Sequence, residues 1–315
     1  MCRKIICIIS FVLVMALASS ASADLVNYYD FEEGSGFVVA DIISGQDGTI
    51  TDPNHLEWTG GAPLGPTPLW GYHLHNISGS SPGSSTAEDY ITMPNAVGAS
   101  DALTIAMWIM TPDEVLPEGN PKDWYMRPVW KQEDTGTKGL SWGIRPGDLV
   151  NPNGHFRVYV GSIASNVNVT ANYVIKYGTW QHLATTFAAG TLKMYVDGQP
   201  VASMIGVTNT MNTSSVGFRL GGAITPPLGI ANQPFNGYFD EVRIFDTALS
   251  DSEILALFQL GCDVVGDLTG DCIVNYDDLK VMAEEWLTIG IKADIYPDGN
   301  VDFKDFAILA NSWLQ

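Results

Sequence analysis

The sequence predicts an all-β antiparallel sandwich followed by a small helical module, and three observations support this fold class. Runs rich in β-branched and aromatic residues, separated by turn residues, recur from about residue 24 to residue 246. The chain contains 32 Gly and 17 Pro, which suits a body built from many turns. Over residues 262–315, regularly spaced acidic residues alternate with apolar ones, which favours a folded module over a disordered tail.

The predicted strands share short lengths, apolar alternation and flanking Gly, Pro, Asn or Asp. They are Leu25–Phe31, Leu103–Met110, His155–Val160, His182–Phe187, Leu192–Val196, Gly217–Leu220 and Tyr238–Phe245. Asp197-Gly198 predicts a tight hairpin turn. Ser250, followed by Glu253 and an apolar run, predicts a capping box that starts a helix closing the β domain.

The N-terminus has the features of a secretory signal peptide. Arg3 and Lys4 precede an apolar run that is too short to span a bilayer comfortably, and Ala21-Ser22-Ala23 is a cleavage signal. We therefore expect residues 1–23 to be removed and the mature protein to be extracellular or at the cell surface, with no membrane span. The formal charge of −20 argues against a nucleic-acid partner.

Two cysteines remain after removal of the signal peptide. Cys262 and Cys272 are close in sequence and lie in a chain that is expected to enter an oxidising compartment. The sequence therefore predicts a disulfide between them. Two reduced thiols would require a reducing compartment, which the signal peptide contradicts.

The acidic C-terminal segment is an internal repeat. Asp267–Asp278 aligns with Asp294–Asp305 at an offset of 27 residues (294 − 267), and the match continues from Trp286 to Trp313. A twelve-residue loop can surround Ca²⁺ with oxygens from positions 1, 3, 5, 7, 9 and 12. The ligands predicted on this pattern are Asp267, Thr269, Asp271, the Ile273 carbonyl, Asn275 and Asp278, then Asp294, Tyr296, Asp298, the Asn300 carbonyl, Asp302 and Asp305. Helices are predicted at Asp278–Leu287 and Asp305–Leu314.

The two loops differ in quality. Position 6 normally requires Gly, and Gly299 satisfies this in the second loop while Cys272 does not in the first. The predicted disulfide would restrain that first loop. Tyr296 at position 3 is a poor ligand, so we expect the second site to be weaker or differently liganded.

Residues 262–315 resemble the type I dockerin domain, a duplicated calcium loop and helix. The resemblance implies calcium-dependent attachment to a cohesin-like or other extracellular protein. At the loop positions where dockerins carry recognition residues, this chain has Tyr276-Asp277 and Phe303-Lys304 instead of small hydroxyl residues. The identity of the partner is therefore open.

Residues 24–260 resemble the laminin-G-like, concanavalin A-type jelly roll. The segments that carry the resemblance occur in the family's order: Tyr28–Gly36, Val39–Asp41, Ile105–Trp108, Trp180–Ala184, Tyr195–Gly198, Phe239–Phe245 and Ala248–Ser250. This fold hosts lectins, pentraxin-like binders, glycosidases and adhesion modules, so the resemblance predicts the fold and leaves the function open. It also implies a structural Ca²⁺ held by Asp41 and Asp240, with the Gly45 carbonyl as a candidate. The alternative is that both acids accept hydrogen bonds from turn backbone.

The sequence favours a secreted non-catalytic binding protein with a candidate polysaccharide ligand. No Glu-x-Asp-x-x-Glu run places paired carboxylates on one strand face, and adjacent Asp240 and Glu241 would point to opposite faces of a regular strand. Trp124 and Tyr125 in a polar loop are candidates for stacking on sugar rings, or they pack the loop. The alternatives are a surface-assembly protein in which both modules bind protein, and a divergent polysaccharide-degrading enzyme.

Overall fold

The computed structural model describes sixteen strands and three helices. The described residues are 25–51, 56–60, 72–76, 90–94, 102–111, 126–132, 139–145, 147, 150–160, 167–207, 217–222, 235, 237–260, 265–269, 274–287 and 293–313. The predicted signal peptide, Trp124, Tyr125, Cys262 and Cys272 lie outside these residues. The signal peptide, the domain boundary near residue 261 and the disulfide therefore stay predictions.

The strands contain two to nine residues and lie between Leu25 and Phe245. They are β1 (Leu25–Tyr29), β2 (Val38–Val39), β3 (Gly48–Ile50), β4 (Leu56–Gly60), β5 (Tyr72–Asn76), β6 (Ile91–Met93), β7 (Ala102–Met110), β8 (Val129–Gln132), β9 (Gly139–Arg145), β10 (Gly154–Val160), β11 (Val167–Ile175), β12 (Trp180–Ala188), β13 (Thr191–Val196), β14 (Gln199–Ile205), β15 (Phe218–Leu220) and β16 (Gly237–Phe245). The helices are α1 (Asp251–Leu260), α2 (Tyr276–Glu284) and α3 (Phe303–Asn311). In the described part of the chain, no helix is long and apolar enough to cross a membrane.

The strands form two antiparallel sheets that pack face to face. Sheet A has the order β14-β13-β12-β7-β16-β5-β4, with β1 paired to β16 beside this path. Sheet B has the order β11-β10-β9-β8-β15-β6-β3-β2. This arrangement confirms the predicted antiparallel sandwich and fits a jelly roll.

The core lies between the inner faces of the two sheets. In β10, buried Phe156, Val158 and Val160 alternate with partly exposed residues, as the sequence alternation predicts. Trp142 of sheet B is fully buried, and its Nε1 donates to Thr185 Oγ1 of sheet A at 3.2 Å. Its ring meets Phe156 edge-on, with 5.1 Å between the centroids. Trp142 therefore links the two layers.

Helix α1 covers part of the outer face of sheet A. Its predicted capping box is present, because Ser250 N donates to Glu253 Oε2 at 2.7 Å and Glu253 N donates to Ser250 Oγ at 3.3 Å. Phe258 stacks on Trp108 of β7 with 5.5 Å between ring centroids. Consecutive residues of β7 and β12 are buried, so these central strands of sheet A are covered on both faces.

His182 is a titratable group enclosed under α1. Its ring lies 5.5 Å from the ring of Trp108 and 6.2 Å from that of Phe258, and neither ring nitrogen has a hydrogen-bond partner among the described residues. Burial, and then the positive charge of Arg243, lower the pKa of His182 to about 3. The folded protein therefore holds this imidazole neutral.

His182 is expected to make the fold sensitive to acid. The unfolded chain, with a histidine pKa of about 6.5, binds a proton that the folded chain excludes. Keeping His182 neutral therefore costs no stability above pH 6.5, and the free energy of unfolding decreases as the pH falls from 6.5 toward 3. At pH 4.5 this loss of stability is about 2–3 kcal/mol. Urea unfolding at pH 7 and pH 4.5 should show a smaller acid loss in His182→Gln than in the unsubstituted protein. Equal losses in both proteins would contradict this assignment.

The acidic segment contains the same structural unit twice. Helices α2 and α3 each span nine residues at the 27-residue offset (303 − 276), and their N-caps Asn275 and Asp302 have identical dihedral angles of φ −142° and ψ −162°. Both N-termini form capping boxes. Their shared apolar cluster consists of Leu268, Val274, Met282, Ala293, Val301 and Leu309. The sequence repeat is thus also a repeat in structure.

The two helices begin and end earlier than predicted. Each begins two residues sooner, because the side chains of Asn275 and Asp302 cap the chain ahead of the predicted starts. The first ends before Leu287, whose φ of 59° is left-handed and cannot continue a helix.

Candidate functional site

The outer face of sheet B is the principal candidate binding surface. One row of cross-strand neighbours crosses all eight strands on the face opposite the core. From β11 to β2 it consists of Asn168, Tyr159, Ser141, Trp130, Arg219, Thr92, Thr49 and Val38. Cross-strand neighbours lie about 4.5–5.5 Å apart, so this row is a continuous strip of side chains.

Two arginines pack against one aromatic ring, Tyr159, near the β11 end of this strip. The Arg127 guanidinium lies 4.3 Å from the ring centroid of Tyr159 and 5.8 Å from that of Trp130. Its Nη1 also donates to Ser141 Oγ at 3.2 Å. Arg157 donates through Nη1 to the Tyr159 hydroxyl at 3.2 Å. These contacts hold two planar cations beside an aromatic platform.

Neighbouring Trp130 and Arg219 carry donors that lack acceptors. Trp130 is only 6 % exposed, and its indole Nε1 has no hydrogen-bond partner among the described residues. Nη1 of Arg219 is also buried and has no hydrogen-bond partner among the described residues, and the Arg219 guanidinium lies 5.3 Å from the ring centroid of Tyr90. A buried donor without an acceptor is destabilising. Both donors are therefore suited to an acceptor supplied by a ligand or by water.

A third aromatic group lies at the β10–β11 end of the face. The ring of His155 is 4.5 Å from that of Tyr173, and His155 Nδ1 is 2.8 Å from Asn172 Oδ1. Tyr173 has a positive φ of 59°, which marks an irregularity in β11. The face thus offers aromatic rings, hydroxyls and guanidinium donors along one direction, a combination that suits sugar recognition.

The residues of this face were not singled out by the sequence analysis. A signal was present, since the eight strands of sheet B contain no Asp or Glu and His155, Arg157 and Tyr159 occupy alternate positions. These residues come to lie on one face with Trp130 and Arg219 only because of the order of the strands in the sheet, which could not be predicted from the sequence.

Asp41 and Asp240, the ligands predicted for a structural Ca²⁺, both accept hydrogen bonds within the fold, and Tyr28 connects their surroundings because its N–H donates to Asp41 and its hydroxyl donates to Glu241. Asp41 accepts from Asn27 Nδ2 at 2.6 Å and from the backbone N–H groups of Tyr28 and Ile43 at 3.0 Å. Burial alone would raise the pKa of Asp41, but hydrogen bonds from Ser44 and these neighbours lower it overall. This bonding is the alternative role foreseen for the residue, and the Gly45 N–H donates to the Asp41 carbonyl at 3.0 Å.

Asp240 is buried beside other acids. Its Oδ1 accepts from Glu241 N at 2.8 Å. Burial, and then the negative charge of Glu241, raise the pKa of Asp240 well above its ordinary range, with Glu32 and Asp30 adding to the effect. Across the described residues, no three His, Cys, Asp or Glu side chains are grouped so that they could hold a metal ion. Calcium in the β body therefore stays a prediction.

The first acidic loop is organised around Asp278. This buried carboxylate accepts from Leu268 N at 2.7 Å and Thr269 N at 2.8 Å through Oδ1, and from Asn275 N at 2.8 Å through Oδ2. Thr269 Oγ1 donates to Asp267 Oδ1 at 3.2 Å. The predicted ligands Asp271 and Ile273 lie outside the described residues.

The second loop repeats this arrangement around Asp305. Asp305 Oδ1 accepts from Tyr296 N at 2.8 Å, and Oδ2 accepts from Asp302 N at 2.8 Å. Asp294 accepts from Gly299 N at 2.9 Å, and Gly299 has the positive φ of 89° expected at position 6. The remaining two predicted ligands, Asp298 and Asn300, are joined by a 3.2 Å hydrogen bond in which Asn300 N donates to Asp298 Oδ1.

The predicted ligands of the second loop are all oxygens, the ligand type that Ca²⁺ requires. Among the described residues, which include all the carboxylates of this loop, no three acidic side chains are grouped to hold a metal ion, so calcium binding here stays a prediction. The carboxylates accept hydrogen bonds from backbone N–H groups of the repeat, and Lys304 Nζ pairs with Asp298 Oδ2. A bound cation would therefore compete with that ion pair for Asp298.

Comparisons with known proteins agree with the observed fold. A family model described as the concanavalin A-like lectin/glucanases superfamily matches residues 85–255. Domain 4 of AbnA, a GH43 extracellular arabinanase from Geobacillus stearothermophilus in complex with arabinotriose, is 19% identical, with a TM-score of 0.53 over 75% of this chain and 98% of that one. No curated protein matches the chain.

Two toxin domains show the same fold. The binding domain of Paraclostridial Mosquitocidal Protein 1 is 13% identical, with a TM-score of 0.55 over 77% of this chain and 53% of that one. The binding domain of Botulinum Neurotoxin DC in complex with SialylT is 16% identical, with a TM-score of 0.51 over 76% and 52%. The chain therefore spans about half the length of these toxin domains, and at such identities the likeness shows the fold alone.

Proposed function

Since this chain belongs to the concanavalin A-like lectin/glucanases superfamily, we propose that it is a secreted, non-catalytic binding protein that holds a polysaccharide on the outer face of sheet B. The observation that carries this proposal is the strip on which Arg127 and Arg157 pack against Tyr159 beside Trp130. Aromatic faces stack on the CH faces of sugars, and guanidinium groups donate to sugar oxygens. The strip offers both within a few ångströms.

The compared structures support a binding role. Domain 4 of the arabinanase was solved with arabinotriose, and the binding domain of the Botulinum Neurotoxin DC was solved with SialylT. The strands of sheet B also contain no Asp or Glu, whereas glycoside hydrolysis uses a pair of carboxylates beside the scissile bond. Binding accounts for this face more simply than the alternative of a divergent polysaccharide-degrading enzyme.

A second function is proposed for the acidic repeat, namely calcium-dependent attachment to a cohesin-like or other extracellular protein. The supporting observation is the pair of equivalent loops and capped helices. At equivalent positions, Tyr276 is 72 % exposed and Phe303 is 77 % exposed. Two exposed aromatic residues related by the repeat suit the centre of a protein interface. The dockerin-like identity and the calcium sites remain part of this proposal.

The polysaccharide proposal can be tested by affinity electrophoresis of the whole chain against a panel of soluble polysaccharides. We expect at least one polysaccharide to retard the protein and Tyr159→Ala to weaken that binding by about tenfold or more, because it removes the ring that both arginines contact. Tyr276→Ala, which removes an exposed ring from the acidic repeat, is the matched control and should bind normally.

Three other results would count against the proposal. Equal losses in Tyr159→Ala and Tyr276→Ala would place the binding elsewhere. No retardation by any polysaccharide would favour the alternative in which both modules bind protein. Release of shorter sugars from the bound polysaccharide would favour the enzyme alternative.

A further inference from the structure

The outer face of sheet B has a charge opposite to that of the chain. The protein has 35 acidic residues against 15 Lys and Arg, yet the strands of sheet B contain no acidic residue. The companion sheet does carry acids, namely Glu57, Asp240 and Glu241. Four of the six arginines of the sequence lie in the strands of sheet B or directly before β8: Arg127, Arg145, Arg157 and Arg219.

The cations of this face are arginines. The one lysine in the strands of sheet B, Lys131, is buried and points inward, with its Nζ 5.0 Å from the ring of Phe218 in the core. A guanidinium is planar and presents paired N–H donors that match the two oxygens of a carboxylate or sulfate, and it remains charged when stacked on an aromatic ring. The selection of arginine therefore favours oxyanion recognition over general attraction of negative charge.

The contacts of the arginines orient them as a preformed site. Arg157 Nε donates to Thr170 Oγ1 at 2.7 Å while its Nη1 donates to Tyr159, which fixes the plane of the guanidinium. Arg219 Nη1 and the cross-strand neighbour Trp130 Nε1 are buried donors with no acceptor among the described residues. After a small movement of the side chains that cover them, an oxyanion would satisfy both donors, and its negative charge would strengthen the two hydrogen bonds.

The positions of these groups match an extended ligand. Arg157 and Arg219 lie on β10 and β15, which are separated by β9 and β8, so three strand spacings of about 4.8 Å place their backbones about 14 Å apart. The residues between them on the strip include Ser141 and Trp130. This length suits a short stretch of polysaccharide that presents more than one anionic group.

The net charge of −20 does not oppose such binding at physiological salt. Exposed charges more than about 8 Å apart are largely screened at 0.15 M ionic strength, so a ligand on the strip interacts mainly with the nearby arginines. The acidic remainder of the surface would repel the same ligand and confine it to this face.

We infer that the polysaccharide bound on the outer face of sheet B is anionic, with carboxylate or sulfate groups held by Arg157 and Arg219 and aromatic contacts from Tyr159 and Trp130. This inference rests on the proposed polysaccharide-binding function and specifies its ligand class.

Matched pairs of polysaccharides test the inference. The whole chain is titrated at 0.15 M NaCl, with a chelator present, against polygalacturonate and its fully methyl-esterified form, and against a sulfated galactan and its desulfated form. We expect at least one anionic form to bind about tenfold or more tightly than its neutral partner. The carboxylate pair and the sulfate pair show which oxyanion is preferred. The affinity for the anionic form should fall steadily between 0.05 and 0.5 M NaCl.

Substitutions locate the preference on the face. Arg157→Gln and Arg219→Gln are each expected to weaken binding of the anionic form by about fivefold or more and to weaken binding of the neutral form less, so that the ratio of the two affinities falls. Lys280→Gln on α2 makes the same charge change elsewhere and should have no effect. If Arg157→Gln fails to fold, Arg157→Lys serves in its place. It keeps the positive charge but loses the paired donors, so its loss of affinity for the anionic form should be smaller than the loss expected for Arg157→Gln.

The possible failures are distinguishable. Equal binding of the anionic and neutral forms would overturn the inference and leave the polysaccharide-binding function standing. A preference that persists in both arginine variants, or that disappears on adding chelator, would assign anion binding to another surface or to bridging calcium. Failure to bind any of the four polysaccharides or the earlier panel would remove the proposed function itself.

Discussion

Replacement of Trp142 by alanine is expected to lower the free energy of unfolding by about 3–5 kcal/mol. The side chain is fully buried, packs edge-on against Phe156 and donates to Thr185 on the opposite sheet. Its removal would leave a cavity between the two layers of a close-packed interior and would break a hydrogen bond between the sheets. Urea unfolding followed by far-UV circular dichroism measures the loss without depending on the fluorescence of the deleted indole.

Two further variants separate the packing of Trp142 from its hydrogen bond. Trp142→Phe keeps most of the ring volume, so it should cost less than half as much as Trp142→Ala. Thr185→Val leaves the buried indole N–H without its acceptor, which we expect to cost about 1–3 kcal/mol. If Trp142→Ala unfolds within about 1 kcal/mol of the unsubstituted protein, the indole does not join the two layers as the contacts indicate.

Most of the sandwich could be predicted because strand formation depends on local alternation. The predicted strand Leu103–Met110 corresponds to β7 at Ala102–Met110, and Tyr238–Phe245 corresponds to β16 at Gly237–Phe245. The helix after Ser250 could be placed because its capping box consists of residues three positions apart. In each case the information lies within a few consecutive residues.

The candidate binding face could not be predicted because it depends on strand order. Trp130 and Arg219 are far apart in sequence and become neighbours only because β15 pairs with β8. Alternation within each strand indicates which residues share a face, but it does not indicate which strands lie side by side.

A bulge interrupts the regular alternation on which one expectation rested. Asp240 and Glu241 would point to opposite faces of a regular strand, but the register of β16 against β7 shifts between Asp240 and Arg243, and Glu241 has a φ of 54°, so this strand is not regular at the pair. Glu241 accepts from the Tyr28 hydroxyl at 2.8 Å, and its charge contributes to the raised pKa of Asp240. The two carboxyl groups therefore interact, although both are engaged within the fold.

The double substitution Asp267→Ala with Asp294→Ala is expected to abolish calcium binding by the acidic repeat. Each residue is the first predicted ligand of its loop, and Asp294 also organises the second loop through Gly299 N. A site that binds only the folded state adds about 2.7 kcal/mol of stability when Ca²⁺ is 100-fold above its Kd. Calorimetric titration of the chelator-treated whole chain should show heat for the unsubstituted protein, and the double variant should lose the part of that heat that comes from the acidic repeat. Ca²⁺ should also raise the melting temperature of the unsubstituted protein more than that of the double variant.

The control for calcium binding is Asp277→Ala, which removes an exposed carboxylate at a loop position that is not a predicted ligand. It lowers the negative charge of the same segment, so it should retain most of the calcium heat if loop geometry determines binding. Loss of binding in Asp277→Ala would instead indicate diffuse attraction of Ca²⁺ by a segment with nine Asp and two Glu. If the unsubstituted chain shows no heat and the same circular dichroism with Ca²⁺ and with chelator, the repeat is not a calcium module. The buried carboxylates of Asp278 and Asp305, which occupy equivalent positions in the two loops, would then serve only to accept hydrogen bonds from the loop N–H groups.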